Sequence, residues 1–222
     1  MTIYDATLGR QLPELPQLWV GYHVLPPSRS SEQIDASLAK ASEKKVKCVL
    51  DWEANDAIER MDPNRTSGNA LDQAIQQAHS ILDHCEEFNA SVDVGFWSIG
   101  VPTAQHYNTI RSDSTFGVWR TETGKLSHGP RSIIDRLPRL YPQLYLPPAW
   151  KLRWPEFRSQ SQTVLNRVAM CCRDWQKECV PFIRPDQFAD PLHWHEWKSM
   201  VLDECGSCAI WESANFNPAY WS

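Results

Sequence analysis

Two carboxylates one residue apart, Asp51 and Glu53, are the sharpest chemical feature of this 222-residue chain. They follow the apolar run Val46-Lys-Cys-Val-Leu50, which reads as a strand. Side chains alternate faces along a strand, so Asp51 and Glu53 share a face with Val49, and Cys48, Leu50 and Trp52 take the other. Two carboxylates about 7 Å apart in a partly dry cavity repel each other, and one pKa rises. A carboxyl group raised towards neutrality is what a general acid requires. A solvated pair, or one capping the next helix, is the plainer reading of so short a motif.

Other chemistry-bearing residues close the remaining apolar runs: Tyr22-His23, Trp97-Ser98, Tyr145, Arg184 and Trp211-Glu212. Trp211 alternates with Ala209, which suggests an inward ring able to stack on a flat ligand face such as a sugar. Core packing is the alternative for Trp211, Trp97 and Tyr145. Glu212 points opposite to Trp211 and ranks below Glu53. The cluster His193-Trp-His-Glu-Trp197 begins a helix and reads as outer packing.

Alternating elements must position these residues. Strands are expected at 18–25, 46–52, 92–99, 143–146, 179–183 and 207–211. Helices are expected at 31–45, 69–88, 131–140, 159–178 and 192–204, with 101–129 a long polar excursion. Strand then helix, repeated, predicts a parallel sheet covered by helices. Neither G-x-G-x-x-G nor G-x-x-x-x-G-K-[ST] occurs, which disfavours an open nucleotide-binding sheet. The expected fold is therefore α/β, a reduced or irregular TIM-type (β/α) barrel of six to eight strands in one domain, 1–222. In such a fold, function gathers at the carboxyl ends of the strands.

Composition narrows the function classes. The apolar content of 42% excludes intrinsic disorder. No run is long enough to span a membrane. A net charge of −5 argues against nucleic acid as a partner. The charge is uneven: residues 1–100 carry 8 Lys/Arg and 15 Asp/Glu, whereas residues 131–173 carry 8 and 2. The basic stretch faces either an anionic ligand or solvent. The N-terminus has no basic start followed by an apolar run, so a cytoplasmic setting without an export signal is expected. The seven cysteines then read as reduced, buried, small apolar thiols. Cys205-x-x-Cys208 lacks a matching second pair, and neither a metal nor a cofactor is expected.

Several segments resemble the hyaluronidase family of glycoside hydrolases. Leu50-Asp51-Trp52-Glu53 is similar to its I-D-W-E strand end. Gly95-Phe96-Trp97, with Pro102 and Tyr107-Asn108, is similar to its G-F-Y…P-x-C-Y-N segment. Leu140-Tyr-Pro-Gln-Leu-Tyr-Leu-Pro147 is similar to L-Y-P-S-I-Y-L-P. Val180 to Pro185 is similar to V-x-P-Y, and Cys208 to Trp211 to V-I-L-W. The resemblance implies a distorted barrel that cleaves an N-acetylhexosamine-containing glycan with retention. It makes Glu53 the proton donor and Asp51 the residue orienting the substrate's acetamido group, whose oxygen is the nucleophile. Tyr145 would hydrogen-bond that group, Trp211 would wall its pocket, and Trp97, Tyr107, Tyr22 and Arg184 would line the remaining site. The implied partner is an oligo- or polysaccharide. Two alternatives stand beside this reading. One is a glycosidase pairing Glu53 with a second carboxylate, Glu212 or Asp93. The other is a non-catalytic carbohydrate-binding or scaffold barrel.

Overall fold

Most of the apolar runs form short parallel strands, and most of the amphipathic segments between them form helices. The computed structural model describes residues 1–6, 15–21, 30–51, 69–89, 91–97, 127–128, 131–146, 151, 153–211 and 220. In chain order they give β1 (Thr2–Asp5), β2 (Leu18–Gly21), α1 (Ser30–Lys44), β3 (Lys47–Leu50), α2 (Asn69–Asn89) and β4 (Val94–Phe96). There follow β5 (Ser127–His128), β6 (Arg131–Ser132), α3 (Ile133–Arg136), β7 (Arg139–Leu140) and α4 (Trp154–Asp174). The chain continues through β8 (Glu178–Cys179), β9 (Phe182–Ile183), α5 (Pro191–Cys205) and β10 (Ser207–Ile210).

The helices form where apolar side chains recur every three or four residues. Ile75, Ala78, Ile81, Leu82 and Cys85 make one buried stripe along α2, and Ile34, Leu38 and Ala41 do so along α1. Helix α5 starts at Asp190, whose side chain accepts from the Leu192 N–H at 2.9 Å, with Pro191 in the first turn. It stops at Gly206, which takes a left-handed φ of 74° and donates its N–H to the Leu202 carbonyl.

The ladders build four small sheets among the described residues, in the orders β1-β10-β9, β2-β3-β4, β5-β6 and β7-β8. Only β5-β6 is antiparallel. Isolated parallel bridges, Asp5 with Gln17, Trp97 with Tyr141 and Gln143 with Phe182, lie between the parallel sheets. The reduced or irregular barrel expected from the sequence is thus present, among the described residues, as parallel α/β sheets with interrupted ladders. Proline is one cause: Pro142 follows Tyr141 and Pro181 separates β8 from β9, and neither has an N–H to give. Their carbonyls still accept, from the Phe182 and Ala209 N–H groups at 2.8 Å each.

Alternation along the strands divides the apolar residues between two cores. Tyr4, Leu18, Val20, Val49, Tyr141, Val180, Phe182 and Ala209 pack with one another. Cys48, Leu50, Phe96, Leu140, Ile183, Cys208 and Ile210 take the opposite face and pack with the helices. Gly95 is required by this division: a Cβ there would lie 2.3 Å from Cε2 of Tyr141. Tyr141 crosses the strand at that point and meets Phe182 edge-on at 6.1 Å.

Three expected elements change, and one of them is the helix expected over 159–178, which runs from Trp154 to Asp174 and leaves Glu178 to β8. Of the helix expected over 131–140 only Ile133–Arg136 is helical, and 139–140 is strand. The strand expected at 143–146 is held by one bridge. Some strands were not expected at all, the two-residue β5, β6 and β7 among them, and β1, which pairs with β10 in register from Thr2 with Ser207 to Asp5 with Ile210.

Candidate functional site

The inner faces are apolar along the strands and change character where the strands end. Above Val49, Gly95, Phe182 and Ala209 stand, two residues on, Asp51, Trp97, Arg184 and Trp211. Tyr145 joins them from the segment after Gln143. Asp51 is buried, with 9% of its surface exposed, directly after β3. Trp97 lies beside it, because its N–H donates to the Leu50 carbonyl at 2.9 Å. Trp97, Tyr145 and Trp211 are half-buried and rest on the inner core.

The rings and the arginine form a connected set. Trp97 and Tyr145 have centroids 6.3 Å apart. The Arg184 guanidinium lies over the Tyr145 ring at 5.3 Å, within cation–π range. Its Nε donates to Asp186 Oδ1 at 2.9 Å and its Nη2 to Oδ2, a two-point pair that fixes the plane of the group. Trp211 sits 6.4 Å from Phe182, tilted, and its N–H donates to the Ile183 carbonyl. The structure therefore brings Trp97, Tyr145 and Arg184 into one contact chain, with Asp51 on the adjoining strand and Trp211 across the inner core at Phe182. Glu53, Tyr22 and Tyr107 lie outside the described residues, as does Glu212. Asp93 takes no part in the site: it lies before β4, at the opposite ends of the strands, and pairs with Arg139.

A second buried carboxylate escaped sequence reasoning. Asp5 ends β1 with 1% of its surface exposed, and Gln17 Nε2 donates to its Oδ2 at 3.2 Å. Its N–H donates to the Pro16 carbonyl at 2.9 Å, and that of Ala6 to the Ile210 carbonyl at 3.1 Å, so Asp5 is fixed between β10 and the approach to β2. The signal was Thr2-Ile-Tyr-Asp5, a run of strand length that closes on Asp, as the run before Asp51 is followed by one.

The basic stretch at 131–173 is largely committed elsewhere. Arg136 pairs with Asp83 and Glu86 of α2, Arg139 with Asp93 and Glu178, Arg158 with Glu196, and Arg173 with Glu204. The pairs of Arg136, Arg158 and Arg173 join helices, that of Arg139 joins strand β7 to β8 and to the approach to β4, and together they account for four of that stretch's arginines. All seven cysteines are unbridged, and six are buried. Burial pushes the thiols of Cys48, Cys85 and Cys208 up to about 12, which makes them inert apolar fillers. No group of three or more His, Cys, Asp or Glu among the described residues is placed to hold a metal ion. No described helix is long and apolar enough to cross a membrane.

The fold and site define an α/β chain of parallel strands whose carboxyl ends gather aromatic, acidic and basic side chains. No family model matches it, and no curated protein does. Solved structures that it resembles are malate synthases of Haloferax volcanii. One, native at 3 mM glyoxylate, shares 14% identity over 95% of this chain and 70% of that one, with a TM-score of 0.47. A magnesium/glyoxylate complex shares 13% over 95% and 71%, with a TM-score of 0.44. At such identity and superposition the likeness carries no activity.

The hyaluronidase resemblance is corrected by these findings: the similar structures are malate synthases, and no family model or curated protein supports it. The glycoside-hydrolase reading and its alternatives are withdrawn with it. The matching motifs have a physical origin in the packing. In Leu140-Tyr-Pro-Gln-Leu-Tyr-Leu146 the leucines face the helices, Tyr141 and Tyr145 face inward, and Pro142 interrupts the ladder. That packing accounts for the pattern without calling on a particular chemistry.

Proposed function

We propose that the strand ends form the active site of an enzyme for a small organic molecule with a flat or apolar body and an oxygen-bearing acceptor group. The carrying observation is the change along the inner faces from an apolar layer to Asp51, Trp97, Tyr145, Arg184 and Trp211. A mostly apolar concavity with a few convergent polar groups is the usual form of a small-molecule site. In this reading the bridged parallel strands act together as one irregular (β/α) ring, whose carboxyl ends are the customary place for catalysis.

Each residue has a task that follows from its surroundings. Trp97, Tyr145 and Trp211 cover the ligand body and exclude water. The pair with Asp186 uses two of the five N–H groups of Arg184 and holds the guanidinium flat. A guanidinium so fixed meets a carboxylate or carbonyl with little loss of side-chain freedom. Asp51 is the acid–base group, placed where a proton can pass between its carboxyl and the ligand. Glu53, two residues on, is its proposed carboxylate neighbour.

A panel of small organic acids and carbonyl compounds, followed by tryptophan emission and saturation-transfer NMR on the full chain, tests the reading. A binding member is expected. Arg184→Met should weaken it about 10–100-fold, the value of one charge-assisted hydrogen bond. Asp51→Asn should keep binding and lose turnover. Emission and NMR signals unmoved across the panel would sink the proposal.

A further inference from the structure

Three cysteines from separate elements converge beneath the amino ends of the strands, away from the site above. Cys172 lies in the last turns of α4, Cys179 in β8, and Cys205 is the last residue of α5. Backbone contacts hold them. The Lys177 N–H donates to the Cys172 carbonyl at 2.9 Å, and Ser207 Oγ donates to the Cys179 carbonyl at 2.8 Å. Ser207 is two residues from Cys205 across the Gly206 turn. The Cys179 thiol contacts those of both Cys172 and Cys205. Cys172 and Cys179 are buried, whereas Cys205 is half-buried, the most open of the seven cysteines.

We propose that Cys205 and Cys179 form a disulfide when the protein meets a peroxide, with Cys205 oxidised first. The Cys205 thiolate attacks hydrogen peroxide. The O–O bond breaks, sulfur takes one oxygen as sulfenic acid, and the other oxygen leaves as water after protonation. The Cys179 thiolate then attacks the Cys205 sulfur. The S–S bond forms, the S–O bond breaks, and a second water leaves carrying the proton lost by Cys179. Two thiols and one peroxide give one disulfide and two waters. Contact with the neighbouring thiols and burial hold Cys179 in its protonated form. The second step therefore speeds up about tenfold per pH unit as its thiolate fraction grows. The link ties the end of α5, which leads into β10 and Trp211, to β8.

The test uses the full chain treated with hydrogen peroxide, quenched by alkylation and read by intact mass and peptide mapping without reduction. The expected product is lighter by two hydrogens, has two fewer alkylatable thiols, and yields a linked peptide pair holding Cys179 and Cys205. Dithiothreitol should reverse it. Cys205→Ser should abolish the product, and Cys172→Ser should leave it. Stable oxygen adducts on Cys205 without mass loss would overturn the proposal. So would a Cys172–Cys179 link, or an undiminished yield in Cys205→Ser.

Discussion

A single methyl group added at Gly95 tests whether Tyr141 is locked across β4. The new Cβ would lie 2.3 Å from Cε2 and 2.7 Å from Cδ2 of Tyr141, inside any allowed contact. The ring is 1% exposed and backed by Phe182, so it cannot swing aside into solvent. Forced overpacking of this kind costs about 1–3 kcal/mol. Without the ring, alanine should be the better strand residue by about 0.5–1 kcal/mol, since glycine loses more backbone freedom on folding. Gly95→Ala should therefore destabilise the natural chain and stabilise a Tyr141→Val chain. The coupling between the two sites is then about 1.5–4 kcal/mol. Urea unfolding of the four chains, followed by tryptophan emission at unchanged slope, measures it. Tyr141→Val alone should lose roughly 3 kcal/mol to the cavity, and Tyr141→Leu serves if that chain does not fold. Equal effects of Gly95→Ala in both backgrounds would refute the reasoning.

Three further outcomes follow from individual side chains. The Tyr141 hydroxyl is buried without a hydrogen-bond partner, and an orphaned group costs about 1–3 kcal/mol, so Tyr141→Phe should raise the melting temperature in calorimetry. A lower melting point would mean that the hydroxyl is satisfied. Hydrogen bonds from Trp154 and Arg158 hold the Glu196 carboxyl below the usual carboxylate range. A depressed carboxyl stabilises the fold above its unfolded value near 4.5 and loses that contribution as pH falls through the folded value. Glu196→Gln should lower stability at neutral pH and flatten its decline in acid, and an unchanged acid limb would count against the pairing. Thiols pushed up to about 12 stay protonated at mild alkaline pH. An aromatic disulfide reagent should accordingly titrate Cys205 quickly in the native chain and all seven thiols only after unfolding. Rapid release of several equivalents from the folded protein would contradict the burial.

Much of the architecture was legible because long-range packing and local pattern agree. Helices α1, α2 and α5 fall within a residue of their expected limits, since an apolar stripe of period 3.6 has one way to be buried. The strand β3 was legible for the complementary reason, its run being apolar on both faces. The amino-terminal strand was missed because four residues carry too little periodicity to stand out, and β1 is made a strand by its partner β10. Residues 139–140 were assigned to a helix because Arg131 to Leu140 has mixed polarity. Pairing with β8 decides them, and that partner lies some forty residues away.

The site was legible only by position. Reading the ends of the apolar runs named Asp51, Glu53, Trp97, Tyr145, Arg184 and Trp211 among other candidates, and alternation gave Asp51 and Glu53 a shared face and Trp211 an inward ring. What failed was the step from residue types to a named chemistry. Short strand-end motifs carry the constraints of a βα chain, namely leucine towards helices, aromatic rings inward and proline where the ladder stops. Chains with unrelated activities share those constraints. The charge pattern failed in a related way. An excess of acid in residues 1–100 and of base in 131–173 suggested a ligand or solvent as the partner of the arginines. Arg136 instead meets Asp83 and Glu86, and Arg139 meets Asp93, so the two halves partly neutralise each other across the fold. Arg184 is the exception, and the one on which the proposed site rests. Its acidic partner, Asp186, is only two residues away, so that pair spends no long-range contact and leaves the guanidinium at the strand ends.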